Sequence, residues 1–112
     1  MKLKQVRWIG DSREQISAFP DEPRREAGYQ LERIQAGKDP ADWKPMPSVG
    51  IGVNEIRVRE DSCAFRVIYV AKFAEAVYVL HAFQKKAQKT PKQDIERARR
   101  RFRELVQERK QR

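Results

Sequence analysis

Cysteine and histidine are almost absent from this sequence: Cys63 and His81 are the only residues of their kinds. One cysteine cannot close a disulfide within the chain, and with a single histidine it cannot supply the usual ligands of a zinc site. A reducing, cytoplasmic setting and no metal are the expectations. Long apolar runs are missing too. No stretch approaches the roughly 20 residues that a membrane-spanning helix needs. The opening segment Met1 to Arg7 holds Lys2, Lys4 and Arg7 but no apolar run of the kind a secretory signal carries, so neither export nor a membrane partner is expected. There is no internal repeat and no low-complexity tract. A chain of 112 residues suffices for one domain, expected to cover 1–112, and leaves no room for a second core.

What is abundant is positive charge, and it is unevenly placed. The net charge is +9. Residues 1–83 carry 13 Lys and Arg against 12 Asp and Glu, whereas residues 84–112 carry 12 against 4. Nearly all the excess therefore lies in the last quarter. Such a local excess attracts polyanions, chiefly through counterion release from phosphates. A solvated basic helix, an acidic protein surface or an anionic membrane would fit the same numbers.

Hydrophobic periodicity lays out the elements. Leu3 to Ile9 alternates as a strand, and Gly10-Asp11 turns the chain. Ser12 with Gln15 reads as a capping box for a short helix that points Ile16 and Phe19 inward and stops at Pro20. Asp21-Glu22-Pro23 opens a second helix with the stripe Ala27, Leu31 and Ile34, and Gly37 suits its end. Residues 38–50 contain Pro40, Pro45, Pro47 and Gly50 and read as an irregular connector. Three strands follow, at about Ile51 to Arg59, Ala64 to Ala71 and Ala76 to Phe83, joined by links short enough for antiparallel hairpins. Thr90-Pro91-Lys92-Gln93 is a further helix start, with Thr90 as cap and Pro91 in the first helical position. The helix it opens buries Ile95, Ala98, Phe102, Leu105 and Val106 and carries Arg99, Arg100, Arg101 and Arg103 mostly outside. The expected fold is α+β, in the order β-α-α-β-β-β-α. It combines a mostly antiparallel sheet with an N-terminal helical hairpin and a C-terminal helix.

Strand alternation then gathers a polar cluster. Pairing Arg59 with Ala64 sets Arg57 opposite Arg66. Pairing Ala71 with Ala76 would set Arg66 opposite His81, with Glu55 on the same face. Two arginines directly opposite repel by a few tenths of a kcal/mol or more, unless an anion lies between them. A phosphate suits that place, because the guanidinium fork offers two parallel hydrogen bonds. The alternative is that Glu55 pairs one arginine and water solvates the other. His81 is either a proton carrier near neutral pH or a hydrogen-bonded core residue. The segment Gln84 to Lys89, with Lys85, Lys86 and Lys89, is a candidate phosphate-gripping lip or a solvated turn. Trp43-Lys44-Pro45-Met46 is a second candidate lip, in which Trp43 could stack a base or plug a core edge.

Several segments, in order along nearly the whole chain, together resemble the HigB-like, phage-associated branch of the RelE toxin superfamily. They are Trp8-Ile9-Gly10-Asp11-Ser12, Phe19-Pro20, Asp42-Trp43-Lys44-Pro45-Met46, the run from Gly50 to Val58, Phe65-Arg66-Val67-Ile68-Tyr69, and the run from Val79 to Lys86 with Thr90-Pro91 behind it. The resemblance implies the toxin of a type II toxin–antitoxin module, a ribosome-dependent mRNA endoribonuclease. In this chemistry the messenger's 2′-hydroxyl attacks the neighbouring phosphate to leave a 2′,3′-cyclic phosphate and a 5′-hydroxyl, with no metal or organic cofactor. It implies as partners the ribosome, mRNA and a cognate antitoxin, a small helix-turn-helix protein encoded nearby. Arg57, Arg66 and Lys85 fall at the basic positions of the family's strands. Glu55 falls where some members carry lysine and a carboxylate would suit a base. Lys44, Lys86, Lys89 and Arg99 are the expected RNA contacts. Many members end in a catalytic Tyr or His. This chain has neither after Tyr78 and His81, so His81 or a lysine of the 85–86 pair would take that role. Two other readings share the basic surface: a ParE-like inhibitor of DNA gyrase, and a non-catalytic nucleic-acid-binding protein of phage origin.

Overall fold

The structure, a computed structural model, describes residues 3–61, 63–85 and 91–111. Its elements are β1 (Gln5–Trp8), α1 (Ser12–Ser17), α2 (Asp21–Gln35), β2 (Trp43–Pro45), β3 (Val53–Glu60), β4 (Cys63–Val70), β5 (Ala76–Lys85) and α3 (Lys92–Lys110). The strands form one sheet in the order β1-β5-β4-β3-β2. Every neighbouring pair is antiparallel except β1 with β5, which is parallel. The architecture is the expected α+β arrangement. Among the described residues, no helix is long and apolar enough to cross a membrane.

The sheet carries a layer on each face. Ile56, Val58, Phe65, Val67, Tyr69, Val77 and Val79 meet Ile16 and Phe19 of the α1 region and Ala27, Leu31 and Ile34 of α2. Ile68, Val70, Tyr78, Leu80 and Phe83 meet Ala98 and Leu105 of α3, with Ile95 and Phe102 packed alongside. The two stripes read from the helical period are therefore the two core faces. Gly37 ends α2 with φ +82°, where a side chain would be strained.

Local signals held, with shifts at the element ends. Ser12 is not the cap of α1. Asp11 stands there, and its carboxylate accepts from Gln15 Nε2 at 3.1 Å. Ser12 is buried and donates its hydroxyl to the Val79 carbonyl at 3.0 Å, a bond to β5 that a surface cap could not make. Pro91 occupies the cap position of α3 rather than its first turn, and Thr90 lies outside the described residues. The connector at 38–50 is not wholly irregular. Trp43 to Pro45 forms the edge strand β2 on β3, flanked by bonds from Arg57 N–H to the Asp42 carbonyl at 2.8 Å and from Met46 N–H to the Val53 carbonyl at 2.8 Å. An edge strand tolerates Pro45, whose missing N–H can face away from the ladder.

The register between β3 and β4 is the expected one, with Arg57 opposite Arg66. The register between β4 and β5 is not. The hairpin pairs Val70 with Tyr78, one residue off the expected register, and a bulge between Ile68 and Tyr69 adds one more, so that Ile68 pairs with His81 and Arg66 faces Phe83 rather than His81. The bulge inserts one extra residue in β5. Tyr78 and Leu80 face α3 before it, and His81, Phe83 and Lys85 continue on that face after it.

Three polar attachments hold α3 to the sheet. His81 Nε2 lies 2.6 Å from Asp94 Oδ1 in its first turn. Arg101, expected outside, turns inward and donates to the Leu80 carbonyl at 2.9 Å and to Asp11 at 2.8 Å. Arg109 grips both carboxylate oxygens of Glu75, at 2.8 and 3.0 Å, and lies 3.8 Å from the centre of the Phe73 ring. Gly10 passes under Arg101: it has φ +57°, and a Cβ there would come within 2.6 Å of the guanidinium carbon.

Two predictions follow from this docking. Gly10→Ala combines a strained φ with a clash against a guanidinium held on two sides. It should lower stability by about 1–3 kcal/mol, read as a shifted urea midpoint at unchanged slope. The second concerns pH. Burial, partly offset by the Asp94 hydrogen bond, holds the His81 imidazole below its ordinary 6.5. The unfolded chain therefore binds this proton more readily than the folded one. Stability from neutral His81 is complete above 6.5 and declines as pH falls from there towards the folded value. Unfolding titrations at about pH 7.5 and about pH 5.5 should show a loss on acidification that His81→Gln largely removes. An equal loss in both proteins would refute the assignment.

Candidate functional site

Directly paired residues of neighbouring strands share a face, and alternate residues along a strand return to it. Three rows of side chains therefore line the α3 side of the sheet. The first is Lys44, Glu55, Ile68 and His81. The second is Arg57, Arg66 and Phe83. The third is Arg59, Ala64 and Lys85. Asp94, in the first turn of α3, meets His81 in the first row. The arginines and Lys85 lie in the rows beyond it. Four strands thus contribute Lys44, Glu55, Arg57, Arg66 and Lys85 to one face.

Glu55 has no exposed surface. Its Oε1 lies 3.4 Å from Arg66 Nε and 4.0 Å from Lys44 Nζ. Arg66 is also buried and donates from Nη1 to the Phe65 carbonyl at 3.1 Å. The Nε atoms of both Arg57 and Arg66 are buried without a hydrogen-bond partner among the described residues. Arg57 Nη1 lies 3.9 Å from Asp42 Oδ1. Unsatisfied guanidinium donors on two facing arginines form an anion-seeking arrangement, because a buried donor left unmade costs about 1–3 kcal/mol.

Burial pulls the Arg66 pKa down, Glu55 opposes this, and the charges of Arg57 and Arg59 add to it. The guanidinium keeps its proton at neutral pH regardless, so it can stabilise charge but not act as a base. Lys85 is buried at the exit of β5. Burial and then the Arg66 charge lower its pKa, with Glu55 opposing. A lysine with a lowered pKa gives up its proton more readily than a solvated one.

The other expected residues are placed as follows. His81 does not meet the arginines. It is buried beneath α3, bonded to Asp94, and its ring stacks on Phe83 with centroids 5.3 Å apart. Lys44 stands at the sheet edge in the Glu55 row, half exposed. Trp43 pairs with Ile56 and so faces away from Lys44, towards the α2 side. Arg99 is exposed on α3, and its Nε donates to the Ser48 carbonyl at 2.8 Å. Lys86 and Lys89 lie outside the described residues. Two residues at the site were not singled out in the sequence. Arg59 was legible, since it follows Arg57 by two residues and returns to its face. Asp42 was not, because it precedes an edge strand that the prolines disguised. Among the described residues, no three His, Cys, Asp or Glu side chains are grouped to hold a metal ion.

Residues 14–103 match the family described as phage-derived protein Gp49-like (DUF891). No curated protein matches the chain. The matched span runs from α1 into α3 and contains every strand of the candidate site. The chain belongs to this Gp49-like family, which is a toxin family of the RelE/HigB type.

Proposed function

We propose that the protein is the toxin of a toxin–antitoxin pair and arrests translation by cutting mRNA on the ribosome. The observation that carries this reading is the direct pairing of Arg57 with Arg66, on a face that also gathers Lys44, Lys85 and Glu55. A phosphodiester placed between the arginines relieves their repulsion and satisfies their buried Nε donors. As the 2′-hydroxyl gives its proton to solvent water and O2′ attacks phosphorus, negative charge grows on the non-bridging oxygens, where both guanidiniums stabilise it. As the bond from phosphorus to O5′ breaks, Lys85 passes its proton to that oxygen, a transfer its lowered pKa favours. Glu55, with no exposed surface, acts as a positioning residue that holds Arg66 and Lys44 in place. His81 acts further back, fixing α3 against the strand that carries Phe83 and Lys85. The messenger is the substrate, the ribosome presents it, and the neutralising partner is an antitoxin with an acidic segment that competes for the same cations.

Pulse labelling after a brief burst of expression should show protein synthesis falling before DNA synthesis. Mapped transcripts should gain 5′-hydroxyl ends inside coding regions. DNA synthesis failing first would favour gyrase as the target instead. The site assignment is tested by Arg57→Ala, which removes a part-exposed side chain. Single-turnover cleavage on saturating ribosomes should fall about 10²- to 10³-fold, the usual loss for one such donor, with the unfolding midpoint little changed. Arg24→Ala, on the opposite side of the sheet and paired with Asp21, should cleave normally. Equal, mild defects in the two variants would mean that the charge is generic and the site misplaced.

A further inference from the structure

In the proposed cleavage the 2′-hydroxyl loses its proton to water. A side chain that draws this proton onward has to stand at the two arginines and be open to solvent. The row that holds them extends one strand further, to the sheet edge. The bonds from Arg57 N–H to the Asp42 carbonyl and from Met46 N–H to the Val53 carbonyl keep one register, in which Trp43 pairs with Ile56 and Lys44 with Glu55. One step on from Trp43, Asp42 stands opposite Arg57, and alternation returns its side chain to the face of Lys44. The row is therefore Asp42, Arg57, Arg66 and Phe83. Asp42 Oδ1 lies 3.9 Å from Arg57 Nη1, and its charge also acts on Arg66, against the effect of burial there. At 3.9 Å the guanidinium attracts the carboxylate without taking up its oxygens in a hydrogen bond. The other carboxylates near this face are engaged. Glu55 is held by Arg66 and Lys44 and has no exposed surface, and Asp94 is bonded to His81. Glu60 returns to the α2 side with Val58. The Asp42 side chain is 48% exposed.

We infer that Asp42 is the general base of this site, holding the water that takes the 2′-hydroxyl proton and drawing that proton on to its own carboxylate. This rests on the nuclease reading of the face. The geometry suits in-line displacement, in which the entering and leaving oxygens lie on opposite sides of phosphorus. A phosphate between Arg57 on β3 and Arg66 on β4 has Asp42 on one side, ahead of β2, and Lys85 on the other, on β5. The bond from O2′ to phosphorus forms as the proton passes through water to Asp42. The bond from phosphorus to O5′ breaks as Lys85 gives its proton to O5′. Asp42 then releases its proton to solvent and Lys85 takes one up, so that the net change is one proton moved from O2′ to O5′. The backbone fixes the base in place, since the carbonyl of Asp42 is tied to the very residue that binds the phosphate. That tie does not depend on the side chain, which leaves the carboxylate open to substitution.

The test uses the purified full chain in single-turnover cleavage of mRNA on saturating ribosomes. Asp42→Ala and the isosteric Asp42→Asn should both lose about 10²-fold or more in rate, the usual contribution of a general base, with unchanged circular dichroism. Asn can still accept from Arg57 but takes up no proton, so a variant Asn that cleaves like the parent would overturn the inference. Glu22→Gln removes an equal charge on α2, from a carboxylate paired with Arg25, and should cleave at the parent rate. The decisive readout is chemical rescue. Ala leaves room for a small carboxylate, so added formate and acetate should restore part of the rate of Asp42→Ala. Acetate, the stronger base, should restore more, while chloride at the same ionic strength restores none. Loss of rate without any such rescue would mean that Asp42 only positions Arg57, and would overturn the inference. A parent that cuts while Asp42→Ala equals it removes this inference alone and leaves the nuclease reading standing. A parent that cuts nothing removes both.

Discussion

One extra residue in β5 decides what the α3 side of the sheet contains. A strand alternates faces with a period of two, so any slip inverts everything after it. Before the bulge, even-numbered Tyr78 and Leu80 point at α3. After it, odd-numbered His81, Phe83 and Lys85 do. Had the ladder run on without the bulge, Leu80 would be followed by Ala82 and Gln84. Lys85 would then turn to the α1 and α2 side, away from Arg66. The apolar seat of α3 and the basic end of the face are thus built from one strand by a single change of phase.

Helix α3 covers one end of that face and leaves the other to the polar rows. Its apolar stripe supplies the burial, while the attachments through Asp94, Arg101 and Arg109 set where along the strands it lies. Each attachment also occupies a charge. An acidic first turn is favourable at the positive end of a helix dipole, and Asp94 serves both that end and His81. Drawing Arg101 and Arg109 inward leaves the cations on the outer flank as a separate population. The excess charge of the last quarter of the chain therefore divides into a structural part and a surface part.

The buried charges of the sheet are a poor route to stability. Taking Glu55 and Arg66 out of water costs several kcal/mol per ion before their attraction offsets it, and apolar residues of similar size would often pack as well. Two facing arginines add repulsion to that cost. Arrangements of this kind, with depressed cation pKa values and unfilled donors, concentrate at functional sites.

Much of this was written in the chain itself. Local alternation and helical spacing specified both helix stripes, the three long strands and the Arg57–Arg66 pairing, because a short hairpin link leaves few registers open. The same local rules placed Glu55 on the face of Arg57. They failed where a partner elsewhere in the fold decided the outcome. Ser12 gave up its cap for a carbonyl on β5, and Arg101 left the surface for Asp11, 90 residues away. Trp43 to Pro45 became a strand only because β3 offered it an edge. His81 went to Asp94 rather than to the arginines because the β4–β5 hairpin closes one residue off the expected register and the bulge, which no residue type marks, shifts it by one more. Periodicity is carried by neighbouring residues and can be read from them. The phase of β5 against β4 turns on where that hairpin closes and where its bulge falls, which neighbouring residues do not mark, and only the folded structure holds that.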